Sequence, residues 1–211
     1  MLPGICRADI SLAAPTSLAR AVNALLDGWK QGPVKVVYGN SDDQAVEIEA
    51  GAAYDVIILG DPHALYRLVS KGLNLEPQRL AASPIILAGK QCDGGSLAIY
   101  DPDSDGIGVA TRELLSQDGR WEQVAKKALL LQSASAIERA VKSGAAEQAI
   151  MLRADLAQVP SLHECETLSE QNYAYLAIPL RAHFRAEVGQ FLGYLRSPAA
   201  AEEIRRRGFE N

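Results

Sequence analysis

The side chains whose type and spacing could do chemistry are hydroxyls: Thr16 and Ser17 first, then Ser41 and Ser133 further along. Each falls where an apolar run gives way to an amphipathic one, so each sits past the end of a strand and at the start of a helix. Such a place suits an anion. The first backbone N–H groups of a helix have no partner within it, and the positive end of the helix dipole points the same way. The chemistry would be capture, not bond making. The competing reading is that each hydroxyl simply caps its helix, with Thr16 or Ser17 as the natural N-cap of the first one. Thr16 and Asn40 could add donors beside the serines.

Nothing else points to catalysis. His63, His163 and His183 are isolated, with no Ser or Cys nucleophile and acid at recognisable spacing. Tyr173 and Tyr175 alternate along a late strand and read as packing. Cys6, Cys92 and Cys165 make no metal spacing and read as three ordinary thiols. A Cys92–Cys165 bridge would require an exported protein. Neither a metal nor a cofactor is expected.

The elements that position these hydroxyls alternate. ISLAAP, VKVVY and DVIIL are strands, each followed by a helix, the third opened by Asp61-Pro62. An apolar strand such as DVIIL is buried on both faces, as in a parallel sheet with helices either side. Three β-α units in a row predict an α/β domain with right-handed crossovers. SPIILA at 83–88 is a further strand, followed by a loop. A second series begins at SLAIY (96–100). It passes through a helix ending at Leu115, a strand at Ala128–Leu131, a helix capped by Ser133, the strand QAIML and a short helical turn. YAYLAI (173–178) and two C-terminal helices, Ala182–Leu195 and Ala199–Arg207, close the chain. Two α/β units thus lie side by side, joined near 84–90 and again near 170–178.

A chain of 211 residues holds one large or two small domains, and a net charge of −5 argues against nucleic acid or an anionic membrane as partner. No run reaches the roughly 18 apolar residues of a membrane span. MLPGICRADI carries one basic residue and no apolar core, so it does not read as a leader. The chain is expected to be cytoplasmic, or periplasmic as a mature form.

Four segments together resemble the molybdate-binding proteins of bacterial ABC importers. They are AAPTSLARA, EIEAGAAYDVIILGD at 47–61, LAIYDPDSDGIGVATRELL at 97–115 and YLRSPAAAEEIRRRGF at 194–209. The resemblance covers nearly the whole chain in order. It implies an α/β, two-lobed periplasmic-binding-protein-like (type II) fold, with two mixed, mostly parallel sheets, flanking helices and a two-strand hinge. Lobe one would be 1–84 plus 176–211 and lobe two 85–175, with the ligand cleft between them. It implies a small oxyanion, molybdate or tungstate, held by hydroxyls and backbone N–H groups without a charged side chain.

Ser17 and Ser41 fall where that family has its ligand serines. Ile107 and Ala134 fall where backbone N–H groups contact the anion. The departures are concentrated in the second lobe. Gly106-Ile107-Gly108 replaces Pro-Ala-Gly, and Leu152 replaces a tyrosine that donates to the oxyanion. Arg153 replaces a glycine, as a surface arginine or as a positive group aimed at the ligand. Asp42 and Asp43 read as partners of a helix dipole. The implied partners are the oxyanion and an ABC permease, with a monomeric protein. The alternatives are a diverged relative binding another small solute, a ligand sensor, and an enzyme like the short ATP phosphoribosyltransferases. The enzyme would need a phosphate loop that Gly94-Gly95 and Gly106-x-Gly108 do not make.

Overall fold

The computed structural model describes residues 9–73, 76–169, 173–180 and 185–210. Cys6, His183 and the start of the helix expected at Ala182 lie outside the described residues.

Two five-stranded sheets are built to the same plan. In the first, β1 (Ile10–Pro15) is flanked by β2 (Val34–Gly39) and β3 (Val56–Leu59), all parallel. β10 (Tyr173–Pro179) then runs antiparallel between β3 and β4 (Gln78–Ser83). In the second, β6 (Leu97–Tyr100) is flanked in parallel by β7 (Leu129–Leu131) and β8 (Gln148–Leu152). β5 (Ile85–Gly89) runs antiparallel between β8 and β9 (His163–Thr167). The antiparallel strand in each sheet is reached by crossing from the other sheet: β5 follows β4, and β10 follows β9.

The parallel strands require crossover connections, which the helices supply. α1 (Ala19–Gly28) buries Ala21, Val22 and Leu25, and Trp29 beyond it packs on Phe191 and Tyr194 at 5.3 and 5.4 Å. α2 (Ser41–Glu49) and α3 (Pro62–Ser70) follow β2 and β3. In the second series α4 (Gly106–Gln117) and the short α5 (Trp121–Ala125) precede β7. α6 (Ala134–Ser143) follows it, ended by Gly144 in the left-handed conformation that glycine adopts at little cost. α7 (Ala186–Leu195) and α8 (Pro198–Arg206) return over the first sheet, and Glu210 exchanges two backbone hydrogen bonds of 2.7 Å with Ala82. No helix among the described residues is long and apolar enough to cross a membrane.

Three expectations change. SPIILA is not one strand: Pro84, which has no N–H to give a ladder, separates β4 from β5 and marks the crossing between sheets. β4 and β9 were not expected as separate strands; β9 is a polar edge strand, HECET, without an apolar face to signal it. Cys92 and Cys165 are not free thiols but a disulfide, with Cα atoms 5.4 Å apart, which pins β9 to the loop after β5.

Candidate functional site

The carboxyl ends of the parallel strands of both sheets face each other, which is where ligands bind in open α/β sheets. On the first side lie the 3₁₀ turn Thr16–Leu18 after β1, Asn40 after β2 and Gly60-Asp61 after β3. On the second lie the turn into α4 after β6, Ser133 after β7 and the 3₁₀ turn Arg153–Gln158 after β8. Tyr173 and Tyr175 of β10 stand between, ring against ring at 5.2 Å.

The two sides are in contact. Arg20 Nη2 meets Glu138 Oε2 at 3.3 Å, His63 Nε2 meets Glu113 Oε1 at 3.0 Å, and the Asn40 amide donates to the Ser104 carbonyl. Gly106 approaches so closely that a Cβ there would lie 2.5 Å from the Tyr173 hydroxyl.

One cavity of about 220 Å³ joins the two sides. Thr16, Ser17 and Arg20 line it from the first, Ser133, Ala134, Ser135 and Asp155 from the second, and Arg207 closes it. The N–H groups of Ala134 and Ser135 open α6 and have no partner within the helix. Ser133 does cap α6, its Oγ accepting from Ala136 N at 3.2 Å. Thr16 and Ser17 do not cap their helix: that turn has no side-chain cap, and Thr16 Oγ1 donates to the Gly39 carbonyl instead. Ser17 Oγ accepts from the Tyr175 hydroxyl at 3.0 Å, which leaves the serine its own proton to donate.

A second cavity of about 300 Å³ adjoins Asn40, Asp61, His63, Asp103, Asp105 and Arg112. A third, of about 370 Å³, lies beside the hinge and is lined mostly by apolar residues such as Leu59, Leu65, Ile85 and Leu114.

The residues expected at the site are therefore divided. Thr16, Ser17 and Ala134 share the first cavity, and Asn40 lines the second. Ser41 is buried, with its Oγ accepting from Gly60 N at 3.4 Å. Ile107 is fully buried, and its N–H donates to Asp105 Oδ1 at 2.8 Å. Leu152 is fully buried in β8 opposite Ile85. Arg153 turns to Glu164, at 2.8 and 2.6 Å, and to Thr167, on β9.

Sequence reading did not place Tyr100, Asp105, Asp155 or Tyr175 at the centre of the site. Tyr100, fully buried, donates to Asp155 Oδ2 at 3.2 Å. Burial pushes Asp155 up to about 7, against the opposing pull of the Tyr100 hydrogen bond and of Arg20. Burial likewise pushes Asp105 up to about 6, with Asp61 adding to it and the Ile107 N–H opposing it. The Tyr100 and Tyr175 hydroxyls are held well above their ordinary value by burial and by these carboxylates. Alternation on YAYLAI was legible, but not which tyrosine would meet Ser17.

Residues 10–210 match a family described as bacterial extracellular solute-binding protein. The molybdate-binding protein of Escherichia coli K12 is 25% identical over 95% of this chain and 88% of its own length. Among solved structures, the periplasmic molybdate-binding protein of Azotobacter vinelandii superposes with a TM-score of 0.78 at 17% identity, covering 96% of this chain and 99% of its own. The sulfate-binding protein of Mycobacterium tuberculosis superposes with a TM-score of 0.76 at 14% identity, covering 96% and 86%.

Proposed function

Since the chain belongs to the bacterial extracellular solute-binding protein family, we propose that it captures a small oxyanion of the molybdate or tungstate class and delivers it to an ABC importer. The observation that carries this reading is the first cavity. There the Thr16–Ser17 turn of one sheet and the Ser133–Ser135 turn of the other face each other with hydroxyl and N–H donors. An oxyanion between two such turns would be held by donors and by the positive ends of two helices. The likeness to molybdate and sulfate binders supports it.

The lobes of this clamp follow the two sheets, 1–84 plus the chain from β10 onward and 85 to the end of β9; the boundary expected at 175/176 falls inside β10, which pairs only within the first sheet. The contacts Arg20–Glu138, His63–Glu113 and Asn40–Ser104 hold them closed, and ligand exchange requires those to break. The ligand favours the closed form by the difference in its affinity for the two forms. Ser17, Thr16 and Ala134 contact the anion directly and Asn40 lines the adjoining cavity, while Ser41 and Ile107 stay buried behind them. No step of chemistry is involved. The protein works as a monomer in the periplasm, with an ABC permease as partner, and the Cys92–Cys165 disulfide suits an oxidising compartment. The comparisons do not favour the phosphoribosyltransferase and sensor readings.

A second reading, a diverged member taking another small solute, is favoured by Asp155. Its buried carboxylate is an acceptor on the wall of a cavity otherwise rich in donors. A ligand with its own O–H groups would satisfy it. A thermal-shift panel of molybdate, tungstate, sulfate, hydrogen phosphate and small carboxylates separates the readings. A ligand at about 100 times its dissociation constant adds roughly 2.7 kcal/mol of stability. If no oxyanion raises the melting temperature, the proposal fails.

A further inference from the structure

We propose that Cys92, Cys165 and His163 form a redox-gated site for a thiophilic d¹⁰ cation such as Zn²⁺, locked while the disulfide stands and opened when it is reduced. The three residues lie on the second sheet, at its β9 edge, away from the cavity lined by Ser17 and Ser133. His163 and Cys165 are two residues apart on β9, whose register against β5 shifts at Cys165 and leaves it unpaired in the ladder. Cys92 comes from the loop after β5, 73 residues before Cys165, and its bond to Cys165 brings it to them. One ligand atom from each of the three residues lies within 4.8 Å of the other two.

The spacing fits a metal. Tetrahedral zinc with sulfur at about 2.3 Å and nitrogen at about 2.0–2.1 Å places S and N about 3.6 Å apart. Cys92 Sγ and His163 Nε2 are 3.6 Å apart. The two sulfurs need only part to about 3.8 Å for the same geometry. Cys92 and His163 are exposed and Cys165 is half-buried, so a reductant and an ion can both reach them. Two thiolates and one imidazole leave a fourth position for water, the open arrangement of zinc sites that exchange ligands.

The steps balance. A phosphine gives two electrons to the S–S bond, which breaks; one water supplies the two protons that make the thiols, and its oxygen leaves as phosphine oxide. Zn²⁺ then displaces both thiol protons into solvent and takes neutral His163 as its third ligand. In the oxidised chain neither sulfur is a thiolate, so the site is absent.

The test reduces the whole chain with a phosphine, removes the excess and titrates Zn²⁺ against a chromophoric chelator, with a thiol count to confirm opening and circular dichroism to confirm the fold. Reduced wild type is expected to take one Zn²⁺ and the oxidised chain none. Reduced His163→Gln is expected to bind at least about tenfold more weakly. Co²⁺ in place of Zn²⁺ should show a thiolate-to-metal charge-transfer band that is weaker in Cys92→Ser and absent when Cys92→Ser and Cys165→Ser are combined. Equal zinc binding by the oxidised chain, no binding by the reduced chain, or unchanged affinity in His163→Gln would each overturn the proposal.

Discussion

Asp155 makes oxyanion affinity depend on pH in a direction that can be worked out. Its carboxylate lines the cavity with Ser17 and is 8% exposed. Burial raises it to about 7. A dianion binds against Asp155 only when the carboxyl is protonated, because two buried like charges repel by amounts water cannot screen. The apparent affinity is then the intrinsic one scaled by the protonated fraction. With a value of about 7, that fraction is about nine-tenths at pH 6 and about one-tenth at pH 8, so binding should be about tenfold tighter at pH 6. The assay is calorimetric titration with molybdate and with sulfate, both dianions across this range, on wild type and on Asp155→Asn. The asparagine keeps the shape and cannot ionise, so its affinity should be flat from pH 6 to 8. Stability gives a second reading of the same group. An unfolded aspartate titrates near 3.9. Between there and about 7 the folded chain holds the extra proton, so stability falls as pH rises through that window. The ceiling on this group's share of the fall is about 4 kcal/mol, at roughly 1.36 kcal/mol per pH unit, and Asp155→Asn should remove that share. A wild-type affinity that does not change between pH 6 and 8, or an affinity slope that survives in Asp155→Asn, refutes the reasoning; a stability slope below about pH 6 remains in that variant, because burial also raises Asp105 to about 6.

Ser17→Ala should weaken oxyanion binding by roughly 1–3 kcal/mol in calorimetry, since it removes a donor and leaves the buried Tyr175 hydroxyl without its acceptor. Leu152→Tyr, a change toward the tyrosine of the molybdate-binding family, should not restore a donor. The side chain is fully buried against Ile85, and the added volume should cost roughly 1–3 kcal/mol in denaturant unfolding, with no gain in molybdate affinity. Gly60→Ala would place a Cβ 2.7 Å from the Tyr173 hydroxyl and 2.8 Å from the Tyr175 ring. It should lower the melting temperature and weaken binding together, because it displaces the hinge tyrosine that holds Ser17.

Strand-to-helix alternation was legible because a buried parallel strand and a capped amphipathic helix each carry a local pattern: DVIIL followed by Asp61-Pro62 shows both, and both formed. β9 was not legible because an edge strand with polar faces has no pattern to read. The same division runs through the site. Ser133 caps α6 as its position in sequence predicts, since capping depends on the next three residues alone. Ser17 instead bonds to Tyr175, 158 residues away, and Cys92 to Cys165, pairings that only the assembled sheets decide. Carrying family positions onto the chain locates backbone but not what the backbone meets. Ile107 stands where a backbone N–H would reach an anion, yet Asp105, two residues earlier, supplies that N–H with a carboxylate oxygen from within the chain. Asp105 therefore competes with the ligand for the same donor. The identity of the residue two places before a contact position is as decisive for binding as the contact position itself.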